Sequence, residues 1–212
     1  MSAREDILNR IRRATGSKEQ DRARDYGAIA RDYRRSGTLE AAARVDLLAD
    51  RLRDYNAGVY VCKELQLAET IAHVLAARGK RGLVIPPALP AEWLPAGFDF
   101  MVDGDLSYEE LDGSEGVLTG CAVAIAFTGT IVLRHGPGDA RRALTLIPDY
   151  HVCVVRADQV VETVPEAIGR IRDFRGLPLT TISGPSATSD IEMTRVKGVH
   201  GPRTLDVAIV HG

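Results

Sequence analysis

Residues 59–87, "VYVCKELQLAETIAHVLAARGKRGLVIPP", decide the fold. The segment opens on "VYVC", a β-branched and aromatic run that suits a strand. The period then changes: Leu67, Ile71 and Leu75 recur every four residues, which lines them along one face of a helix. Gly79 supplies a residue that ends helices, and "GLVIPP" follows as a second short apolar run closed by proline. Short continuous apolar runs, rather than alternating ones, are what strands covered on both faces require. The segment therefore reads as strand, crossover helix and strand of a parallel sheet.

The pattern continues on both sides. Upstream, "TLEAAARVDLLADRLRDYNAG" places Val45, Leu48, Leu52 and Tyr55 at spacings of three and four, a helix with Thr38 as N-cap and Gly58 as stop. Downstream, "FDFMVD" reads as a third strand. In "GVLTGCAVAIAFTGTIVLRHGPG" two apolar stretches flank Thr128-Gly129-Thr130 with no room for a helix. A hairpin or a sharply bent strand pair is expected there, so the sheet is mixed. "DARRALTLIP" is expected to be a short helix ending at Pro148, and "YHVCVV" a strand. "DQVVETVPEAIGRIRDF" reads as a helix broken or restarted at Pro165, with "PLTTIS" and "LDVAIV" as the remaining strands. The fold class is α/β with a mostly parallel, mixed sheet. At the start of the chain, residues 1–14 read as a short helix with Ile7, Leu8 and Ile11 on one stripe, and Ser2 and Glu5 stand at capping-box spacing. Residues 15–37 are rich in Arg and Asp and poor in large aliphatics, an exposed arm. The organisation expected is an N-terminal helix and charged arm over 1–37, then an α/β domain over 38–212.

Composition excludes several function classes. The chain has 212 residues, 45% hydrophobic and 26% charged, with a net charge of −2, so there is no overall basic footprint for nucleic acid. No run of eighteen apolar residues suggests a membrane span, and the charged start "MSAREDILNRIRR" is unlike a secretory signal. Cys62, Cys121 and Cys153 are scattered in apolar runs with no CxxC, the pattern of buried thiols in a cytoplasmic protein rather than of a cluster or zinc framework. The histidines lack metal-ligand spacing, and neither GxGxxG nor a Walker A loop occurs.

The most polar small-residue segment is "TISGPSATSDIE", residues 181–192. A strand is expected to end at Ser183, and Gly184-Pro185 to turn the chain. Ser189 and Glu192 match a capping box, so a helical turn is expected from Asp190-Ile191, at the carboxyl edge where open α/β sheets bind ligands. Free amides and hydroxyls there suit an anion, although Asp190 and Glu192 already compensate the dipole and could bind a hydroxyl, a cation or a partner's arginine instead. A capped turn with satisfied hydroxyls is the structural alternative. A hydrolase triad has no G-x-S-x-G elbow to rest on. "KGVHGPRTL" brings Lys197, His200 and Arg203 into one loop, and His200 is a candidate acid, base or anion contact. His135, in "LRHGPGDARR", has a similar neighbourhood beside the expected helix start at Gly138-Asp139, whereas His73 and His151 fit structural positions. The candidate ligand-binding residues are Thr128, Gly129, Thr130, Ser183, Gly184, Ser186, Thr188, Asp190 and His200, with Asp190 and His200 also the catalytic candidates.

"TGTIVL", "LTLIPDYHVCVV" and above all "ISGPSATSDIEMTRVKGVHGPRTLDVAIV" resemble the LUD (lactate utilization) domain, in particular the lactate utilization protein C branch. "AREDILNRIR" is similar to the start of that branch. The resemblance implies a three-layer α/β/α sandwich like that of the ribose-5-phosphate isomerase, glucosamine-6-phosphate deaminase and CoA-transferase group. It also implies a role in oxidising L-lactate to pyruvate as the cluster-free accessory member of a complex whose other subunits carry iron–sulfur clusters. No cofactor is expected in this chain, and no catalytic residue carries over from the family. Two alternatives stand beside it: a stand-alone enzyme acting on a sugar phosphate or acyl-CoA, with Asp190 or Glu192 as base or nucleophile, and a pure scaffold.

Overall fold

The computed structural model describes residues 2–15, 19–174, 176–188, 196–198 and 200–211. They divide into two compact units, 1–34 and 35–212. The first holds α1 (Ala3–Thr15) and α2 (Glu19–Ala28). The capping box that opens α1 forms: the Ser2 N–H donates to the Glu5 carboxylate at 2.7 Å, and the Glu5 N–H to the Ser2 hydroxyl at 3.3 Å. Ile7, Leu8 and Ile11 are exposed. The charged arm contains α2, a helix carried by good helix formers such as Glu, Gln, Arg and Ala rather than by an apolar stripe.

The second unit runs in the order α3 (Ala41–Asp54), β1 (Gly58–Lys63), α4 (Leu67–Ala77), β2 (Gly82–Ile85), β3 (Asp99–Val102), α5 (Tyr108–Asp112) and β4 (Val117–Thr119). It continues with β5 (Val123–Ile125), β6 (Thr130–Arg134), β7 (Tyr150–Arg156), β8 (Val160–Val161), α6 (Val164–Ile171) and β9 (Leu179–Ile182). It closes with β10 (Ala187–Thr188), β11 (Val196–Lys197) and β12 (Thr204–His211). Six strands form one sheet in the order β1-β12-β7-β4-β2-β3, parallel throughout. A second sheet has the order β8-β5-β6-β9, antiparallel at β5–β6 and β6–β9 and parallel at β5–β8. β10 and β11 pair antiparallel.

Side-chain alternation along β7 and β12 makes two cores. Val152, Val154, Ala208 and Val210 pack with Leu67, Ile71, Val74 and Leu75 of α4. Cys153, Val155, Val207 and Ile209 pack on the other face with Leu48 and Leu52 of α3 and with Ile131 and Leu133 of β6. Covering both faces is what makes the central strands uniformly apolar, and each Leu or Ile so buried contributes roughly 1.5–3 kcal/mol. The result is a three-layer α/β fold.

Four local expectations are corrected. α3 begins at Ala41 with Glu40 at the cap position. Thr38 lies outside it, because the N–H groups of Thr38 and Leu39 both donate to the buried Glu162 carboxylate at 2.6 Å. The chain turns out of α3 at Asn56 (φ 64), not at Gly58. Gly58 opens β1, where a Cβ would stand 2.0 Å from the Asp206 carboxylate. Residues 139–148 form turns rather than a helix, with the Leu146 and Ile147 N–H groups both directed at the Ala143 carbonyl. Finally, the stretch before Pro165 goes into a 3-10 turn and β8, and Pro165 sits in the first turn of α6, where its missing N–H costs nothing.

Candidate functional site

The hairpin at Thr128-Gly129-Thr130 joins β5 to β6. Since Ile131 lies opposite Ile182, Thr130 and Ser183 come together just beyond the pairing. Thr128 and Thr130 share a hydrogen bond of 2.7 Å, and Thr130 and Ser183 one of 2.9 Å. Both adjoining glycines let turns press onto the end of α3. Gly129 (φ +60) would place a Cβ 2.8 Å from the Arg51 Cβ, and Gly184 (φ +82) one 2.5 Å from the Tyr55 Cβ. Gly184→Ala combines a left-handed backbone with a clash, so a loss of about 1–3 kcal/mol is expected in urea unfolding. An unchanged midpoint would mean that Tyr55 moves aside freely.

Ser186 joins a second group. Its N–H donates to the Pro202 carbonyl at 2.8 Å, its carbonyl accepts from Gly198 at 3.0 Å, and its hydroxyl accepts the His200 N–H at 3.0 Å. Thr188 sits in β10 opposite Val196. Asp190 lies outside the described residues, as do Ser189, Glu192 and the helical turn expected from them. The turn does follow the carboxyl end of β9. That end, however, meets the chain just before β12 and the end of α3, so the group lies at the amino edge of the parallel sheet. His135 bonds the Ala140 carbonyl and, at 2.7 Å, the Thr180 hydroxyl, which pins its loop to β9.

The carboxyl edge holds a cavity. β2 and β4 are neighbours, and the chain leaves them on opposite faces. After β2, Leu89, Trp93, Leu94 and Phe98 pack with α4. After β4, β5 and β6 pack with α3. Such a divergence is a topological switch point, the place where parallel sheets bind ligands. The cavity there measures ≈ 310 Å³. Pro86, Leu89 and Trp93 line one side, and Gly120, Cys121 and Leu133 another. Thr119, Arg134, Asp139, Gln159 and Phe174 also line it.

Its polar parts are held firmly. Arg134 donates from Nε and one Nη to Asp139 at 2.6 and 3.0 Å, and its guanidinium lies 4.8 Å from the Phe174 ring centre. The Gly136 N–H adds a bond to Asp139 at 3.2 Å. Gln159 fixes the wall by donating to the Cys121 carbonyl at 2.7 Å and accepting from the Arg156 N–H at 2.9 Å. Behind the wall, the Thr119 hydroxyl and His151 Nε2 share a bond of 2.8 Å. Burial lowers the His151 pKa to about 4, so the ring is neutral near pH 7. Sequence reasoning reached none of this as a site, because its residues come from five separate segments. It also missed Asp206, which is fully buried and bonded by Arg78 at 2.8 and 2.7 Å and by the Tyr150 hydroxyl at 2.8 Å. An acid inside the apolar run "TLDVAIV" was the available signal.

The residues present do not fit an iron–sulfur cluster. Cluster ligands are thiolates, whereas burial pushes up the pKa of all three thiols, that of Cys153 to about 12. Among the described residues no three His, Cys, Asp or Glu side chains gather where they could hold a metal ion.

The LUD domain family model matches residues 91–210, from the segment after β2 into the last strand. The chain belongs to the LUD domain family. The match includes the cavity's Trp93, Arg134, Asp139 and Phe174 as well as the hydroxyl groups of both turns. This LUD chain is 43% identical to Lactate utilization protein C of Deinococcus radiodurans over 98% of its own length and 95% of the relative's. It is 26% identical to Lactate utilization protein C of an Exiguobacterium strain over 98% and 96%. A crystal structure of a DUF162 family protein from Deinococcus radiodurans matches with a TM-score of 0.69 and 43% identity, over 82% of the LUD chain and 99% of the solved one. Among the described residues no helix is long and apolar enough to cross a membrane.

Proposed function

We propose that this LUD chain serves lactate utilization, as the cluster-free accessory component of a cytoplasmic iron–sulfur complex that oxidises L-lactate to pyruvate. The observation that carries the reading is the 43% identity, over nearly the whole of both chains, to a protein named Lactate utilization protein C. The oxidation removes two electrons and two protons from the substrate. In this reading the electrons pass to clusters on partner subunits, which agrees with the raised pKa of this chain's own thiols. The cavity between β2 and β4 is its site for an organic ligand. In this reading the turn residues Thr128, Gly129, Thr130, Ser183, Gly184, Ser186 and His200 serve as further polar surface, for an anion or for a partner subunit.

The test is lactate-dependent dye reduction by the purified chain alone and by the chain with the iron–sulfur proteins that co-purify from its host. Activity is expected only in the second case, and should fall when this chain is withdrawn. Turnover by the chain alone would sink the accessory role. Silence in both would favour the stand-alone reading on a sugar phosphate or acyl-CoA.

A further inference from the structure

The cavity between β2 and β4 is roomier and less cationic than lactate requires. Its ≈ 310 Å³ falls in the range that encloses drug-sized ligands, roughly 300–1,000 Å³, whereas L-lactate is a three-carbon acid. A carboxylate enters a low-dielectric site at acceptable cost only opposite an uncompensated cation or several donors. Arg134 is the cation among the described lining residues, and Asp139 already neutralises it through two hydrogen bonds. A second carboxylate there would meet Asp139 as a like charge.

What the walls do offer is flat apolar surface beside a paired donor and acceptor. Trp93 and Phe174 contribute rings, and Pro86, Leu89 and Leu133 close the apolar sides. Gly120 lies beside the tryptophan, where a Cβ would stand 3.5 Å from the indole, in ordinary contact. Two of the five guanidinium N–H donors of Arg134 go to Asp139. Asp139 accepts three bonds out of roughly four acceptor positions. A guanidinium donor next to a carboxylate acceptor complements a group that presents C=O beside N–H. We infer that the cavity binds a planar heterocycle with an amide edge, its ring against Trp93 and Phe174 and its C=O and N–H on the Arg134–Asp139 pair. That chemistry is shared by the lactam edges of flavins and nucleobases and by the carboxamide of nicotinamide. The inference deepens the proposed function and rests on its assignment of the cavity as the ligand site. Lactate itself is then held elsewhere in the complex.

The protein carries its own probe, because Trp93 is the single tryptophan of the chain and is 8% exposed in the cavity wall. The full chain is titrated with flavin mononucleotide, with nicotinamide mononucleotide and with L-lactate, following Trp93 emission and Tm. At least one ring probe is expected to change the emission saturably and raise Tm, while L-lactate does neither. Affinity for that probe is expected to fall about tenfold or more in Arg134→Met and in Asp139→Asn, the scale of a lost charge-assisted hydrogen bond. Urea midpoints of both variants separate lost binding from lost folding. A saturable response to L-lactate alone would overturn the inference, as would silence of both ring probes at millimolar concentration. If the complex still oxidises lactate in either case, only the ligand assignment falls and the accessory role stands.

Discussion

Arg78→Met is expected to remove about 3–5 kcal/mol of folding stability, the cost of leaving one member of a buried ion pair without its partner. Asp206 projects from β12 beside Gly58 of β1, and its side chain is 0% exposed. Its two oxygens take both bonds from Arg78 and one from the Tyr150 hydroxyl. Arg78, just past the end of α4, is 41% exposed, so its guanidinium reaches the carboxylate from the surface. The asymmetry sets an order among variants. Without Arg78, a carboxylate stays in the core with the Tyr150 hydroxyl still donating to it. With Asp206→Asn, Arg78 hydrates, the amide keeps part of the bonding, and the loss is about 1–2 kcal/mol. Urea unfolding of the two variants beside the parent chain measures the order. Equal losses, or an unchanged midpoint in Arg78→Met, would show that water already reaches Asp206.

The parts of the fold that could be read early are those fixed by local periodicity. β1, α4 and β2 follow from the change of spacing between "VYVC" and Leu67, Ile71 and Leu75, and the β5–β6 hairpin from Thr128-Gly129-Thr130. What failed was decided by distant partners. Residues 139–148 have helix-like apolar spacing. Yet Asp139 is held by Arg134, and Arg141 by the buried Asp103 at 2.7 and 3.0 Å, so ion pairs pin the start of the segment in turns. Apolar runs also do not say which sheet a strand joins: "VLTGCAVAIAF" divides at residues 120–122 into β4 of one sheet and β5 of the other. Contacts among the candidate site residues were legible in the same measure. Thr128, Thr130 and Ser183 do meet, and so do Ser186 and His200 across fourteen positions, because small polar residues at turns satisfy one another. The cavity was illegible because it exists only once β2 and β4 are neighbours.

His151 gives the second large effect, and it appears in acid. The ring projects from β7, 1% exposed, with the hydroxyl of Thr119 on the neighbouring β4 as hydrogen-bond partner. Burial lowers its pKa from 6.5 to about 4. As pH falls below about 6.5 the unfolded chain takes up a proton on this imidazole, while the folded chain stays neutral there until about pH 4. Protons therefore favour the unfolded state across that window. The stability that the neutral ring contributes is complete above the window, declines through it, and changes no further below it. A gap of that width corresponds to about 3 kcal/mol. His151→Gln places an amide near the Nε2 position that bonds Thr119 and does not titrate, while the carboxylates that also respond to acid are the same in both proteins. Between pH 7 and pH 4 the parent chain is expected to lose about 3 kcal/mol more than the variant in urea unfolding. Parallel curves would mean that the folded protein protonates His151 almost as readily as the unfolded chain does. A charge on that ring requires water beside it, and Thr119, its hydrogen-bond partner, also lines the cavity. The same result would then place water behind that wall, and a neutral ring ligand would have to displace it.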